Sequence, residues 1–207
     1  MKAILTKVFI IAALILGYFN IAPFAQAVKL NTALIKHIDS MFKDDQFWRK
    51  EFAKTQRREK SAYSDETIQK EWAGTDSINE LKAKAIIKKY GYPGYNLVGE
   101  TSNKFWAIVQ HCDDDIPFQE HVLALMKKEV YRNNADKENY ALLTDYALLT
   151  DRILVNKHQK QIYGTQVNVD PKTHKATPLP LKYPKDVNKL RKRMAMEPIE
   201  KYLKSYE

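Results

Sequence analysis

The stretch FWAIVQHCDDDIPFQEHV, Phe105 to Val122, decides the fold. Phe105, Ile108, Val109 and Cys112 fall at i, i+3, i+4 and i+7, the spacing of one buried helical stripe. Trp106, Gln110 and Asp113 form a neighbouring stripe at i, i+4 and i+7. Three aspartates and a proline then break the run, and Phe118, Val122, Leu125, Met126 and Val130 resume it on a second helix. Asp114 or Asp115 is placed to cap that second helix. The pattern predicts helix packed on helix. The break also gathers a histidine and three carboxylates, as either a chemical site or the polar seam between two helices would.

On the N-terminal side, residues 29–58 carry Leu30, Leu34, Ile38, Met41, Phe42, Trp48 and Phe52 at roughly helical spacing, closed by the basic run KTQRREK. A short helix is expected from Ser64, with Asp65 and Glu66 at its positive end. Thr75 or Asp76 is expected to cap another, running through Leu81, Ala85 and Ile86 to Tyr90 and stopping at Gly91. GYPGYNLVG reads as a loop.

On the C-terminal side, YALLTDYALLTDR is a tandem hexapeptide. Six residues turn a helix by about 600°, so the copies cannot share one face, yet Leu142, Tyr146, Leu149 and Ile153 keep a stripe. QIYGTQVNV then alternates as a strand would, Asp170-Pro171-Lys172-Thr173 suits a type I turn, and KATPLPL returns as an edge strand or extended arm. Two helices close the chain, one after Pro184 and one from about Pro198. The expected class is mainly α: a single helical domain, residues 28–207, with one small β-hairpin near its C-terminal third.

The composition agrees, since 44% apolar with 29% charged residues in a chain of 207 supports one packed core rather than disorder. The segment MKAILTKVFIIAALILGYFNIAPFAQA has a basic start, a short apolar run and Ala25-Gln26-Ala27 at its end, the pattern of a secretory signal peptide cleaved after Ala27. A periplasmic or secreted protein without a membrane span after cleavage is therefore expected. Removing Lys2 and Lys7 takes the net charge from +9 to +7. Cys112, the only cysteine, excludes an internal disulfide and a thiolate metal cluster.

Three constellations could carry chemistry. His111, Asp113, Asp115 and His121 are metal-ligand types, but their spacing is not that of a helical two-histidine motif and capping explains the aspartates, so no metal or cofactor is expected. Cys112 beside His111 is a poor thiol nucleophile, because adjacent helical residues point about 100° apart and Cys112 sits on the apolar stripe. The third is a cluster drawn from distant segments, His111, Asp113, Arg152, Tyr163 and Gln166. In it the imidazole could move protons, the carboxylate orient it and the guanidinium hold an anion. A buried structural network would use the same residue types. The basic C-terminal run KYPKDVNKLRKRM lacks interleaved stacking aromatics, so no nucleic-acid partner is expected.

Taken together, DDQFWR, YGYPGYNLVG, IVQHCDDDIPFQ, LLTDRILV, QIYGTQ and VNKLRKRMAMEPIEKYL resemble an uncharacterised bacterial domain family over residues 40–203. Its motifs are Asp-Gln-x-x-Arg, Gly-x-Pro-Gly, Gln-His-x-Asp, Asp-Arg and Tyr-Gly-Thr-Gln, in this order. The resemblance implies no activity, but it selects Asp45, Gln46, Arg49, Gly91, Pro93, Gly94, Gln110, His111, Asp113, Gln119, Asp151, Arg152, Gln161, Tyr163, Gly164, Thr165, Gln166 and Arg191. It favours Asp151 over its duplicate Asp145.

Two functions follow as expectations. One is a hydrolase or transferase on a cell-envelope or extracellular substrate, with His111, Asp113 and Arg152 catalytic. Gln110, Gln161, Tyr163, Thr165 and Gln166 would then bind a polar or anionic ligand. The other is a non-catalytic binding or interaction protein built on the same residues. Both require His111, Arg152 and Gln166 to converge on one water-reachable hollow.

Overall fold

Helix α1, Thr32–Gln56, begins where Asn31 accepts the Leu34 N–H at 3.0 Å, and it turns Leu34, Ile38 and Met41 inward. The computed structural model describes residues 29–131, 141–170 and 172–206. The expected signal peptide and Pro171 lie outside the described residues. α2, Asp65–Tyr90, is capped by Ser64, whose hydroxyl accepts the Thr67 N–H at 3.1 Å, and ends at Gly91 with φ +70°.

This single helix corrects the expectation of two. Asp76 caps nothing, because Arg49 holds its carboxylate in a fork at 2.9 and 3.0 Å. A carboxylate so engaged does not compete for backbone N–H groups. The run GYPGYNLVG also differs from a plain loop, since it contains the one-turn helix α3, Tyr95–Val98.

α4, Thr101–Val109, and α5, Ile116–Tyr131, flank the polar break, where Asp115 accepts the Phe118 N–H at 2.9 Å. α6 spans Ala141–Asn156. Leu34, Ile38, Met41, Ile86, Phe105, Ile108, Val109, Val122, Met126, Leu142 and Leu149 make one core, with α1 against α2 and α4, α5 against α6, and α4 touching α6. The Phe105–Cys112 stripe is buried as the spacing implied, and burial pushes the Cys112 thiol up, out of thiolate chemistry.

The hairpin is shorter than the alternation suggested. β1, Val167–Val169, pairs antiparallel with β2, Ala176–Pro178, with Asn168 opposite Thr177. Asp170 accepts the N–H groups of Lys172 and Thr173, both at 2.8 Å, and so forms the turn. Residues 161–166 add no length to the strand, because Asp151 holds the N–H groups of residues 162, 163 and 165, although Gln161 and Gln166 still exchange backbone hydrogen bonds with residues 179–182. α7, Val187–Arg193, and α8, Ile199–Lys204, finish the chain. Among the described residues the class is mainly α with one small hairpin.

Candidate functional site

Asp45 continues the stripe of Leu34, Ile38 and Met41 on α1, so helix geometry carries a carboxylate into the core at 1% exposure. A buried carboxylate needs partners, and it has three. Gln46 donates to its Oδ2 at 2.7 Å, Arg49 Nη1 lies 3.1 Å from Oδ1, and His111 Nδ1 lies 2.9 Å from Oδ1. A carboxylate only accepts, so in the neutral ring Nδ1 carries the proton and Nε2 keeps its lone pair. Arg49 is itself held by the Asp76 fork, with its guanidinium 4.9 Å from the Trp72 ring centroid.

His111 opens onto a cleft of about 310 Å³. Gln69, Trp72, Asp76, Ser77 and Glu80 of α2 form one wall, and His111, Asp113 and Asp114 form the other. Glu80 is engaged by Lys84, which also lies 2.7 Å from Asp115 and holds that carboxyl below its ordinary range. Asp114 has no partner among the described residues and gives the cleft an acidic rim. Among those residues no three of His, Cys, Asp and Glu are arranged to hold a metal ion.

Asp113 does not orient His111. Its carboxylate is taken by Arg152, from Nε at 2.7 Å and from Nη2, and by Asn156 at 2.9 Å, which ties the α4–α5 break to α6. Burial alone would raise this carboxyl, but the Arg152 fork and Asn156 hold it below the ordinary carboxylate range. Arg152 reaches the cleft only through Asp113. Gln110 offers its carbonyl to Gln119, whose fully buried amide also meets the Val109 carbonyl and so closes the end of α4.

The Tyr-Gly-Thr-Gln segment forms a separate knot. Asp151, fully buried, accepts the N–H groups of Ile162 at 2.7 Å, Tyr163 at 3.1 Å and Thr165 at 3.0 Å. Burial raises its carboxyl, and the three N–H groups oppose that. Gln161 is fully buried, donating to the carbonyls of Gln166 at 2.9 Å and Leu179 at 2.8 Å while accepting the Gln166 N–H. The Gln166 amide lies against the Thr165 hydroxyl at 3.2 Å. Arg191, 0% exposed, donates to the carbonyls of Tyr163 and Glu197 and stacks 4.6 Å from the Tyr202 ring.

His111 and Gln166 therefore do not share a hollow. His111, Asp113 and Asp114 face the cleft, whereas Gln161, Tyr163, Thr165 and Gln166 take no part in its lining. A family model matches residues 33–207. The chain belongs to the family of unknown function DUF6624. No curated protein and no solved structure matches this DUF6624 chain. Of the residues around His111, the family motifs selected Asp45 and Arg49 without giving them a site role, and Trp72 and Asp76 were not expected there. For Asp45 a signal existed, since it is the one carboxylate in phase with the α1 apolar stripe.

Proposed function

We propose that the chain is an exported hydrolase or transferase of the cell envelope or extracellular space, with His111 as general base and acid. One observation carries this reading: the His111 side chain lines an open cleft while its Nδ1 is hydrogen-bonded at 2.9 Å to the buried Asp45. Asp45 fixes the ring and the tautomer, and its negative charge stabilises the imidazolium formed when Nε2 takes a proton. Nε2 then accepts that proton from a water or substrate hydroxyl and returns it to the leaving group. Arg49 and Gln46 keep Asp45 in place; they are positioning residues.

The acidic rim argues for a neutral, hydroxyl-rich or cationic ligand rather than an anionic one. Carboxylates accept hydrogen bonds from hydroxyl and ammonium groups, whereas a phosphate or carboxylate ligand would meet Asp114 with like charge. Trp72 adds an aromatic wall suited to the apolar face of a sugar ring.

The second reading, a non-catalytic binding protein, is favoured by the closed pairing of Arg49 with Asp76, Lys84 with Glu80 and Arg152 with Asp113. One experiment separates the two. Hydrolysis of a panel of chromogenic esters and glycosides is measured for the native chain, His111→Gln and Asp45→Asn, alongside thermal melts. Loss of a general base costs roughly 10²–10⁴-fold in rate. The catalytic reading expects such a loss in His111→Gln with the melting temperature retained. A panel turned over equally by native chain and variant, or inert to both, leaves the binding reading.

A further inference from the structure

Helix α2 presents three faces: one enters the core, one walls the cleft, and the third is unaccounted for. On the third face Gly74, Ile78, Leu81 and Ala85 recur at i, i+4, i+7 and i+11, a single stripe. Leu81 is 68% exposed and Ile78 54% exposed, the two most exposed large aliphatic side chains among the described residues. Beside the stripe, a groove of about 310 Å³ between α1 and α2 is lined by Ala33, His37, Lys82, Ala85, Ile86 and Tyr90, among others. Scattered exposed leucines need no explanation, but an aliphatic ridge beside an apolar groove does.

The charge around the ridge is one-sided. Lys82, Lys88 and Lys89 flank it, and Lys70 lies one turn beyond its lower end, beside Glu71. The carboxylates above residue 72 are spent elsewhere, Asp76 on Arg49 and Glu80 on Lys84, both at the cleft. Two copies of this chain packed through the ridge would set lysine against lysine, which disfavours self-association. Protruding aliphatics ringed by lysines, with Tyr90 at the margin, instead complement a negatively charged interface that yields to inserted side chains. No helix among the described residues is long and apolar enough to cross a membrane, so such an attachment would be peripheral.

We infer that this face of α2 docks on an anionic phospholipid surface, with Ile78 and Leu81 entering the headgroup layer and Lys82, Lys88 and Lys89 pairing with its phosphates. The cleft, on a different face of the same helix, stays open to solvent in that orientation. The inference is independent of the catalytic reading, since it uses none of the same side chains.

The test places an environment-sensitive dye on Leu81→Cys in the full chain, where Cys112 is buried and escapes labelling. Emission should shift to the blue on phosphatidylcholine vesicles containing about one-third phosphatidylglycerol, and the shift should reverse in high salt. Pure phosphatidylcholine should leave it unchanged, and the same dye on Lys192→Cys should stay unshifted on both. Reversing charge at Lys82, Lys88 and Lys89 to Glu should require at least roughly tenfold more anionic lipid for the same shift. Absence of a shift, an equal shift on neutral vesicles, or an equal shift at both labelled positions overturns the proposal. So does a lipid-free blue shift that grows with protein concentration, which would assign the ridge to a second copy.

Discussion

Asp145 and Asp151 hold the same place in the two copies of YALLTD, and their surroundings part them. Asp151 meets three backbone N–H groups, whereas Asp145 is buried and its Oδ2 has no partner among the described residues. Burial raises the Asp145 carboxyl to about 8. The unfolded carboxyl titrates near 4, at about 3.9. Between those values the folded state keeps a proton that the unfolded chain releases, so the contribution of Asp145 to stability is greatest in acid and falls as pH rises toward about 8. The slope of that fall is at most about 1.4 kcal/mol per pH unit. Asp145→Asn removes the titration, so its melting temperature should change less between mildly acidic and mildly alkaline pH than that of the native chain. Parallel profiles would assign the slope to other groups. The arginine after Asp151 singled that copy out in the sequence. Burial of Asp145 follows from the α6 stripe, since it falls three residues after Leu142 and four before Leu149; that its Oδ2 would find no partner there was not legible, because that depends on what packs against α6.

At the scale of elements, caps and turns followed local chemistry closely. Ser64, Gly91 and Asp115 end or start helices where the sequence placed them, because capping is settled within four residues. The Tyr-Gly-Thr-Gln segment did not follow, since its alternation suits a strand while Asp151 and Gln161 claim its backbone groups. Two glycines test the difference. Gly91 and Gly164 both have φ +70°, but a Cβ on Gly91 meets nothing within 4 Å. On Gly164 it would lie 2.5 Å from Ile199 Cδ1 and 3.3 Å from Leu181 Cδ2. Gly91→Ala should cost roughly 1–3 kcal/mol from backbone strain alone, because φ +70° with ψ −157° is a conformation that residues with a Cβ scarcely adopt. Gly164→Ala should cost roughly 1–3 kcal/mol more, because α8 must also move aside. Denaturant midpoints of the two variants check this, and equal losses would contradict it.

For the molecule as a whole, the C-terminal segment is fastened to the helical frame chiefly by Asp151, with Thr144 donating to the Met194 carbonyl at 3.2 Å, while the Arg191–Tyr163 and Tyr202–Thr165 contacts tie the segment to itself. Asp151→Ala would leave three backbone N–H groups without an acceptor, at about 1–3 kcal/mol each. We expect a loss of roughly 3 kcal/mol or more, with amide exchange rising over residues 161–206 before it rises in α1, α2 and α4. Uniform acceleration across the chain would show that the segment has no independent fastening. The sequence by itself determined the family, the helical class, the apolar stripes and most helix ends, because these depend on periodicity and on chemistry a few residues apart. Only the tertiary structure decided the partners. Asp45 pairs with His111 across 66 positions of chain, and Asp113 with Arg152 across 39. Neither span leaves a periodic trace, since a side-chain contact between helices is set by how their axes pack.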